Sequence, residues 1–210
     1  MDNKGQKERD RAYSKIAQKY KKLFINELQN KPMDRKIYDL FFERVINHGE
    51  ILEIGCGPGE ISNYLWMKGL DITGIDYSKE MIKAAKEYNP EIKFIAGNVF
   101  KLKYDDHSIY GIIAPYLIVN FTLEEVKDSL IEMTRVLKKD GVLLISFHIG
   151  DDNSETYDNF IEDNNKITFT FFKVDTIVKI IEDVGLKLME IVTRSPYNDK
   201  TTRAYIFAKK

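Results

Sequence analysis

The chain has 210 residues, with 32 basic and 33 acidic side chains and a formal net charge of −1. A single domain of this length buries a full core without staples, and the balanced charge argues against general nucleic-acid binding, whose footprint is a basic excess. The single cysteine excludes a disulfide framework and a multi-cysteine zinc site, and no apolar run reaches the ~18 residues that span a bilayer.

Apolar positions Ile16, Tyr20, Leu23, Phe24 and Leu28 recur at steps of three and four, which predicts a helix over about 8–30 with a basic opposite face. A second helix is expected over about 33–47, with Pro32 near its first turn, where a missing N–H costs little. The period then changes. Glu50–Ile54 reads as a strand ending in the turn Gly55-Cys56-Gly57-Pro58-Gly59, followed by a helix at about 60–68. A strand at 70–75, a helix capped by Ser78, a strand at 93–96, a strand at 110–114 and a helix at about 123–137 continue the alternation. The turn Lys138–Gly141 leads into Val142–Phe147, an almost wholly apolar strand of the kind covered on both faces in parallel sheets.

Residues 151–172 break this rhythm with an acidic, Asn-rich stretch and then the alternating Lys166–Phe171. A helix at about 174–184, stopped by Gly185, precedes two strands at 187–193 and 203–208 joined by a polar loop. Strand–helix alternation of this kind predicts an α/β fold, a doubly wound, mostly parallel seven-stranded sheet of Rossmann-like type. The last two strands lack room for a helix between them, so the final strand should be antiparallel. The chain divides into an N-terminal helical lid (1–48), a cofactor-binding core (49–150), a lid insertion (151–172) and a C-terminal helix and hairpin (173–210). With no apolar stretch in the first ten residues, a cytoplasmic location is expected.

The glycine turn lets the backbone approach a ligand closely, and in a doubly wound sheet it lies beside the switch point where ligands bind. Asp76, about twenty residues on at the end of the next strand, is placed to accept both hydroxyls of a ribose. Together they imply an adenosine-type cofactor. A dinucleotide fingerprint would put a glycine where Glu60 stands, and Glu60 would face two phosphates. Glu53, just before the turn, suits a ligand carrying an amine and a sulfonium.

With these residues in place, the chain resembles the class I S-adenosylmethionine-dependent methyltransferases. The resemblance runs from about Tyr13 to Lys210 and rests on four segments in family order: Ile51–Gly59, Ile72–Ser78 with Met81 beyond it, Ala96–Val99, and Arg135–Ile145. It implies that Gly55, Cys56 and Gly57 pass along the methionine part of S-adenosylmethionine, with Glu53 supporting the turn and the amino group. Asp76 would hold the ribose, Tyr77 and Met81 would flank adenine, and Val99 would meet its edge through the backbone. Asn98 stands where the family usually has an acid, and its oxygen can still accept from the adenine amino group. Ala114 and Pro115 would line the sulfonium side, and Tyr20 is the candidate to lie over the cofactor.

Methyl transfer from a sulfonium needs a general base only when the nucleophile must lose a proton. His148 at the end of the fifth strand, with Tyr116 and Asn120 past the fourth, are the acceptor-side candidates. His48 lies on the wrong sheet edge, and His107 sits in a polar loop. The aromatic content, 12 Tyr and 12 Phe, points to a small, partly apolar acceptor. No metal is expected, and the chain should work as a monomer or homodimer without nucleic acid or membrane. Two other readings stay open: a nicotinamide-dependent oxidoreductase and a non-catalytic S-adenosylmethionine-binding protein. The first is disfavoured by Glu60. It is also disfavoured because Tyr205 and Lys209, a Tyr-x-x-x-Lys match on a strand, stand ~13 Å apart.

Overall fold

Alternating apolar and amphipathic segments resolve, in a computed structural model that describes residues 3–197 and 201–210, into one large sheet flanked by helices. The strands are β1 (Ile51–Ile54), β2 (Ile72–Asp76), β3 (Lys93–Ala96), β4 (Ile109–Pro115), β5 (Leu137–His148), β6 (Asn153–Tyr157), β7 (Ile167–Phe171), β8 (Lys187–Arg194) and β9 (Arg203–Lys209). The α-helices are α1 (Asn3–Phe24), α2 (Pro32–Val45), α3 (Glu60–Trp66), α4 (Lys79–Tyr88), α5 (Leu123–Val136) and α6 (Val174–Asp183). Among the described residues, seven strands form a sheet in the order β3-β2-β1-β4-β5-β9-β8. All run parallel except β9, which is antiparallel to both β5 and β8. This is the expected doubly wound sheet with its last strand reversed.

Neighbouring residues of the central strands feed opposite faces, because successive side chains alternate across a sheet. Ile112, Leu143 and Ile145 pack with Leu130, Met133 and Ile177 from α5 and α6. Ile113, Val142 and Leu144 pack with Ile37, Phe41 and Leu65 from α2 and α3. Each such side chain, fully buried, contributes about 1.5–3 kcal/mol of transfer free energy. Two helix starts foreseen from sequence chemistry form. Ser78 accepts the Met81 N–H at the start of α4, and Pro32 occupies the first turn of α2. Thr122 and Glu125 add a reciprocal capping box on α5.

Three stretches depart from expectation. The first helix stops at Phe24, and Glu27–Asn30 forms a separate 3-10 turn. The Leu28 N–H is taken at 2.7 Å by the Glu60 carboxylate, so a tertiary contact replaces the helical one. Leu23 is consequently exposed, although its spacing put it on the apolar stripe. The strand β5 begins at Leu137 and carries the expected turn as an internal kink, with Asp140 at φ 63°. Residues 151–172 are not irregular but contain the antiparallel hairpin β6–β7, stitched by Ser154–Thr170 and Thr156–Thr168 hydroxyl contacts of 3.0 and 2.8 Å. Its first strand is polar and exposed throughout, so it has no apolar alternation to announce it. The loop expected between the last two strands falls partly outside the described residues.

The helix α1 lies beside α4 and the hairpin. Ile16 packs with Ile167, flanked by Tyr20 and Phe160, while Ser14 meets Ser78 at 2.8 Å. Lys19 pairs with Glu162 at 3.1 Å, and Lys15 reaches the Asp163 carbonyl at 2.9 Å. The basic face of α1 and the acidic insertion therefore do meet.

Gly74, in the middle of β2, would place a Cβ 2.5 Å from the Phe94 ring and 3.1 Å from Cys56 Sγ. Gly74→Ala should lower stability by about 1–3 kcal/mol, the range for overpacking a filled core. Urea denaturation of wild type and variant checks this, and equal midpoints would contradict it.

Candidate functional site

The turn after β1 is fixed against the end of β2 by backbone donors. The Gly55 and Cys56 N–H groups both donate to the Ile75 carbonyl, at 2.7 and 3.0 Å. The Gly57 N–H donates to Asp76 Oδ2 at 2.9 Å, and the Ser78 N–H donates to Oδ1 at 2.8 Å. A carboxylate has about four acceptor sites, so Asp76 keeps capacity for a further donor. Gly57 has φ 50°, and a Cβ there would meet nothing within 4 Å, so its backbone faces open space.

That space is a cavity of about 230 Å³. Glu53, Gly55, Cys56, Gly57 and Asp76 form one wall, and Tyr77, Met81 and Val99 another. Tyr13, Tyr20 and Phe24 reach it from α1, Asp34 and Tyr38 from α2, and Pro115, Tyr116 and Asn120 from the end of β4 and just beyond. A Tyr20–Phe24 ring pair at 4.5 Å and a Tyr13–Tyr20 edge contact at 6.1 Å order the α1 side.

The cavity is rich in carboxylates, and burial dominates their chemistry. Desolvation pushes Glu53 up to about 8, although the Ser62 hydroxyl donates to it. Asp76 is pushed up to about 6 by burial, against backbone donors from Ser78, Gly57 and Tyr77, and Glu60 to about 7. Each gains if a positive group enters, because the charged form is then compensated. The Cys56 thiol is held well above its usual range by burial, which leaves it a poor nucleophile.

Twelve of the fifteen sequence-predicted residues line this cavity. Asn98 does not: its oxygen accepts from Gln6 Nε2 at 2.8 Å and from the Phe100 N–H at 2.9 Å, and the side chain ties α1 to the β3 loop. Ala114 is wholly buried in the sheet core, and Pro115 alone presents that strand end. His148 sits behind Tyr116, its ring stacked on Tyr116 at 5.5 Å and tilted against Phe171 at 5.6 Å. His48 stacks on Tyr110 at 4.7 Å, and His107 Nδ1 meets the Leu137 carbonyl at 3.2 Å. Sequence reasoning missed Tyr13, whose hydroxyl donates to Asn120 at 3.1 Å; it stands two helical turns before Tyr20 on the same face, a signal that was available. It also missed Asp34, which reads in sequence as a solvated acid in a helix's first turn.

Among the described residues, no group of three or more His, Cys, Asp or Glu could hold a metal ion, and no helix is long and apolar enough to cross a membrane.

Fold and cavity together define a Rossmann-like methyltransferase architecture. A methyltransferase domain model matches residues 52–145. The demethylmenaquinone methyltransferase of Thermotoga maritima is 31% identical over 151 residues, 69% of this chain and 63% of that protein. An S-adenosylmethionine-dependent methyltransferase from Methanosarcina mazei superposes with a TM-score of 0.71 at 21% identity, covering 77% of this chain and 92% of that one. A 1,6-didemethyltoxoflavin-N1-methyltransferase from Burkholderia thailandensis, solved with its acceptor and S-adenosylhomocysteine, superposes at 0.68 with 14% identity, covering 92% and 89%. The chain spans between 39% and 63% of the length of the curated relatives it matches. Through this segment and this fold the chain is similar to the class I S-adenosylmethionine-dependent methyltransferases.

Glu53 gives a test that needs no ligand. Its folded-state value near 8 exceeds the ordinary 4.5, so the folded protein binds the extra proton between those values. The associated stability is present below about pH 4.5 and is lost as pH rises through 8. Glu53→Gln should therefore remove about one proton from the pH dependence of unfolding in that window. Urea denaturation from pH 5 to 9 measures it, and parallel wild-type and variant curves would contradict it.

Proposed function

We propose that this protein transfers a methyl group from S-adenosylmethionine to a small, partly apolar acceptor. The observation that carries the reading is Asp76, with acceptor capacity left over from its backbone donors, beside the open backbone of Gly57 and the buried Glu53 in one cavity. That donor set fits an adenosine bearing positive charge. It does not fit a pyrophosphate, which would meet Glu53, Glu60 and Asp76 together.

In this reading Asp76 accepts the ribose hydroxyls, and Tyr77 and Met81 flank the adenine, with the Val99 backbone at its edge. Gly55, Cys56 and Gly57 pass along the methionine part, and Glu53 takes the amino group. Asn98 acts through its Gln6 contact to hold α1 against the adenine side rather than by touching the ring. When bound, S-adenosylmethionine supplies a methyl group already activated by its sulfonium. The chain's own work is then to orient the acceptor and keep water out, which accounts for much of the acceleration in such a displacement. Tyr13, Tyr20 and Phe24 close the α1 side, while Pro115, Tyr116 and Asn120 face the acceptor. His148 supports the Tyr116 ring from behind. Asp76 would serve the ribose of a nicotinamide dinucleotide equally, and it is Glu53 and Glu60 that disfavour the oxidoreductase alternative.

Isothermal titration with S-adenosylmethionine, S-adenosylhomocysteine and NADH tests the reading. The two sulfur ligands should bind and NADH should not; NADH binding alone would sink it. Asp76→Ala should weaken both by about 1.5–3 kcal/mol, roughly 10- to 150-fold, the scale for hydrogen bonds to a charged acceptor. S-adenosylmethionine affinity should rise from pH 5 to pH 8 as Asp76 and Glu53 ionise, because the charged carboxylates favour the cation. A flat profile would remove Glu53 from the binding role.

A further inference from the structure

Behind the acceptor-facing wall of the cavity, three groups form a chain that ends in a buried ion pair. Asp34 Oδ2 lies 2.9 Å from Arg194 Nε, and both side chains are almost fully buried. Asp34 Oδ1 accepts the hydroxyl proton of Tyr205, which is itself wholly buried. The Tyr205 oxygen is 3.0 Å from the Tyr116 hydroxyl, and Tyr116 Oη is also 3.5 Å from Asp34 Oδ1. Tyr116 and Asp34 both line the cavity.

A proton count fixes the direction of this chain. A carboxylate paired with arginine is an acceptor only, and each tyrosine hydroxyl has one proton. Tyr205 spends its proton on Asp34. Tyr116 therefore donates inward, to Tyr205 or to Asp34, and its oxygen has only lone pairs left for the cavity. The Tyr116 ring is held in place for this role. Its backbone sits at φ 53°, a conformation costly for a bulky residue, with its N–H donated to the Ser146 carbonyl at 3.0 Å. The Arg203 guanidinium lies 5.8 Å over one face, and the His148 ring stacks at 5.5 Å. The cavity that Tyr116 lines also carries apolar and aromatic side chains, Phe24, Leu28, Tyr38 and Ile61 among them, alongside the charged Glu27, Lys31, Glu53 and Glu60.

Resting on the methyltransferase reading, we propose that Tyr116 Oη is a specificity contact that accepts a hydrogen bond from an O–H or N–H carried on an apolar ring of the methyl acceptor. Tyr205 and Asp34 are positioning residues that keep the Tyr116 proton turned away from the cavity. The site then selects against rings already methylated at that atom, which have no proton to offer. It also selects against rings that present only acceptors, since two sets of lone pairs would face each other.

Four probes test this: 2-naphthol against 2-methoxynaphthalene, and indole against 1-methylindole, each titrated into the protein with and without saturating S-adenosylhomocysteine. Wild type should bind the donor of at least one pair about 3- to 10-fold tighter than its methylated partner, the value of one net hydrogen bond. Tyr116→Phe keeps the ring and should bring both members within about twofold while S-adenosylhomocysteine affinity is retained. Tyr205→Phe leaves the Tyr116 proton only its 3.5 Å contact with Asp34 and should give a preference between those of wild type and Tyr116→Phe. A merely structural role for either tyrosine would shift both members of a pair alike. Equal affinities in wild type, an unchanged preference in Tyr116→Phe, or no binding of any probe would overturn the proposal. A full wild-type preference in Tyr205→Phe would overturn the positioning role. Donor preference without S-adenosylhomocysteine binding would instead overturn the methyltransferase reading and leave the contact standing.

Discussion

The cavity exists because the loop after β1 and the end of β2 are locked together by hydrogen bonds from three consecutive residues. Gly55 and Cys56 share the Ile75 carbonyl, and Gly57 donates to the Asp76 side chain. A loop that instead spent these N–H groups on its own carbonyls would fold over the strand ends and close the space. The lock uses one lone pair on Asp76 Oδ2, and Ser78 uses one on Oδ1. The same carboxylate therefore shapes the turn and still presents acceptors to whatever enters. Gly74 lets this happen, because the ring of Phe94 and the Cys56 sulfur occupy the space a side chain would need. Packing in β2 and the geometry of the turn are thus one constraint.

That arrangement buries acidic groups beyond what the fold can neutralise by itself. Glu53, Glu60 and Asp76 all sit above their ordinary values, chiefly through desolvation. Most proteins avoid buried carboxylates unless they are paired. Here the partners are neutral donors: a Ser62 hydroxyl, a Leu28 N–H and two turn N–H groups. These stabilise the carboxylates without cancelling their charge, so a cationic ligand completes the electrostatics that folding leaves open. Asp34 is the instructive contrast. Arg194 pairs with it directly, and its charge is spent inside the protein. Two kinds of buried acid therefore line one cavity, one held by neutral donors and the other paired with an arginine.

What could be read in the sequence follows how far apart in the chain the partners lie. The glycine turn, Asp76 and the Ser78 cap are local chemistry, with partners within about one strand–helix–strand unit, and all were recognisable from residue type and spacing. The seven-stranded sheet was recognisable because strand and helix periods differ. The chain of Tyr116, Tyr205 and Asp34 was not, since Tyr205 and Asp34 are 171 positions apart and no periodicity links them. Asn98 is a related case. Its place after β3 is local, but its amide is held by Gln6, 92 residues away. The helix break at Phe24 likewise depends on Glu60, a residue that sequence reasoning had weighed only as an obstacle to phosphates.

Glu60 also shows why the N-terminal helix and the core behave as one site. Its carboxylate accepts the Leu28 N–H, which ends the α1 region in a tight turn and brings Phe24 and Leu28 to the cavity. From the other side, Tyr13 donates to Asn120 just past β4, and Arg9 pairs with Glu125 at the start of α5. The hairpin β6–β7 buttresses the outer face of the same helix through Ile167 and Phe160. The high aromatic content thus has two separate uses. Tyr13, Tyr20 and Phe24 wall the cavity, whereas Phe160, Phe169 and Phe171 pack among themselves or behind His148. Only the first group bears on what the cavity admits. What the cavity admits is therefore set by those rings and by the Tyr116 hydroxyl, 3.0 Å from that of Tyr205, not by the aromatic residues as a whole.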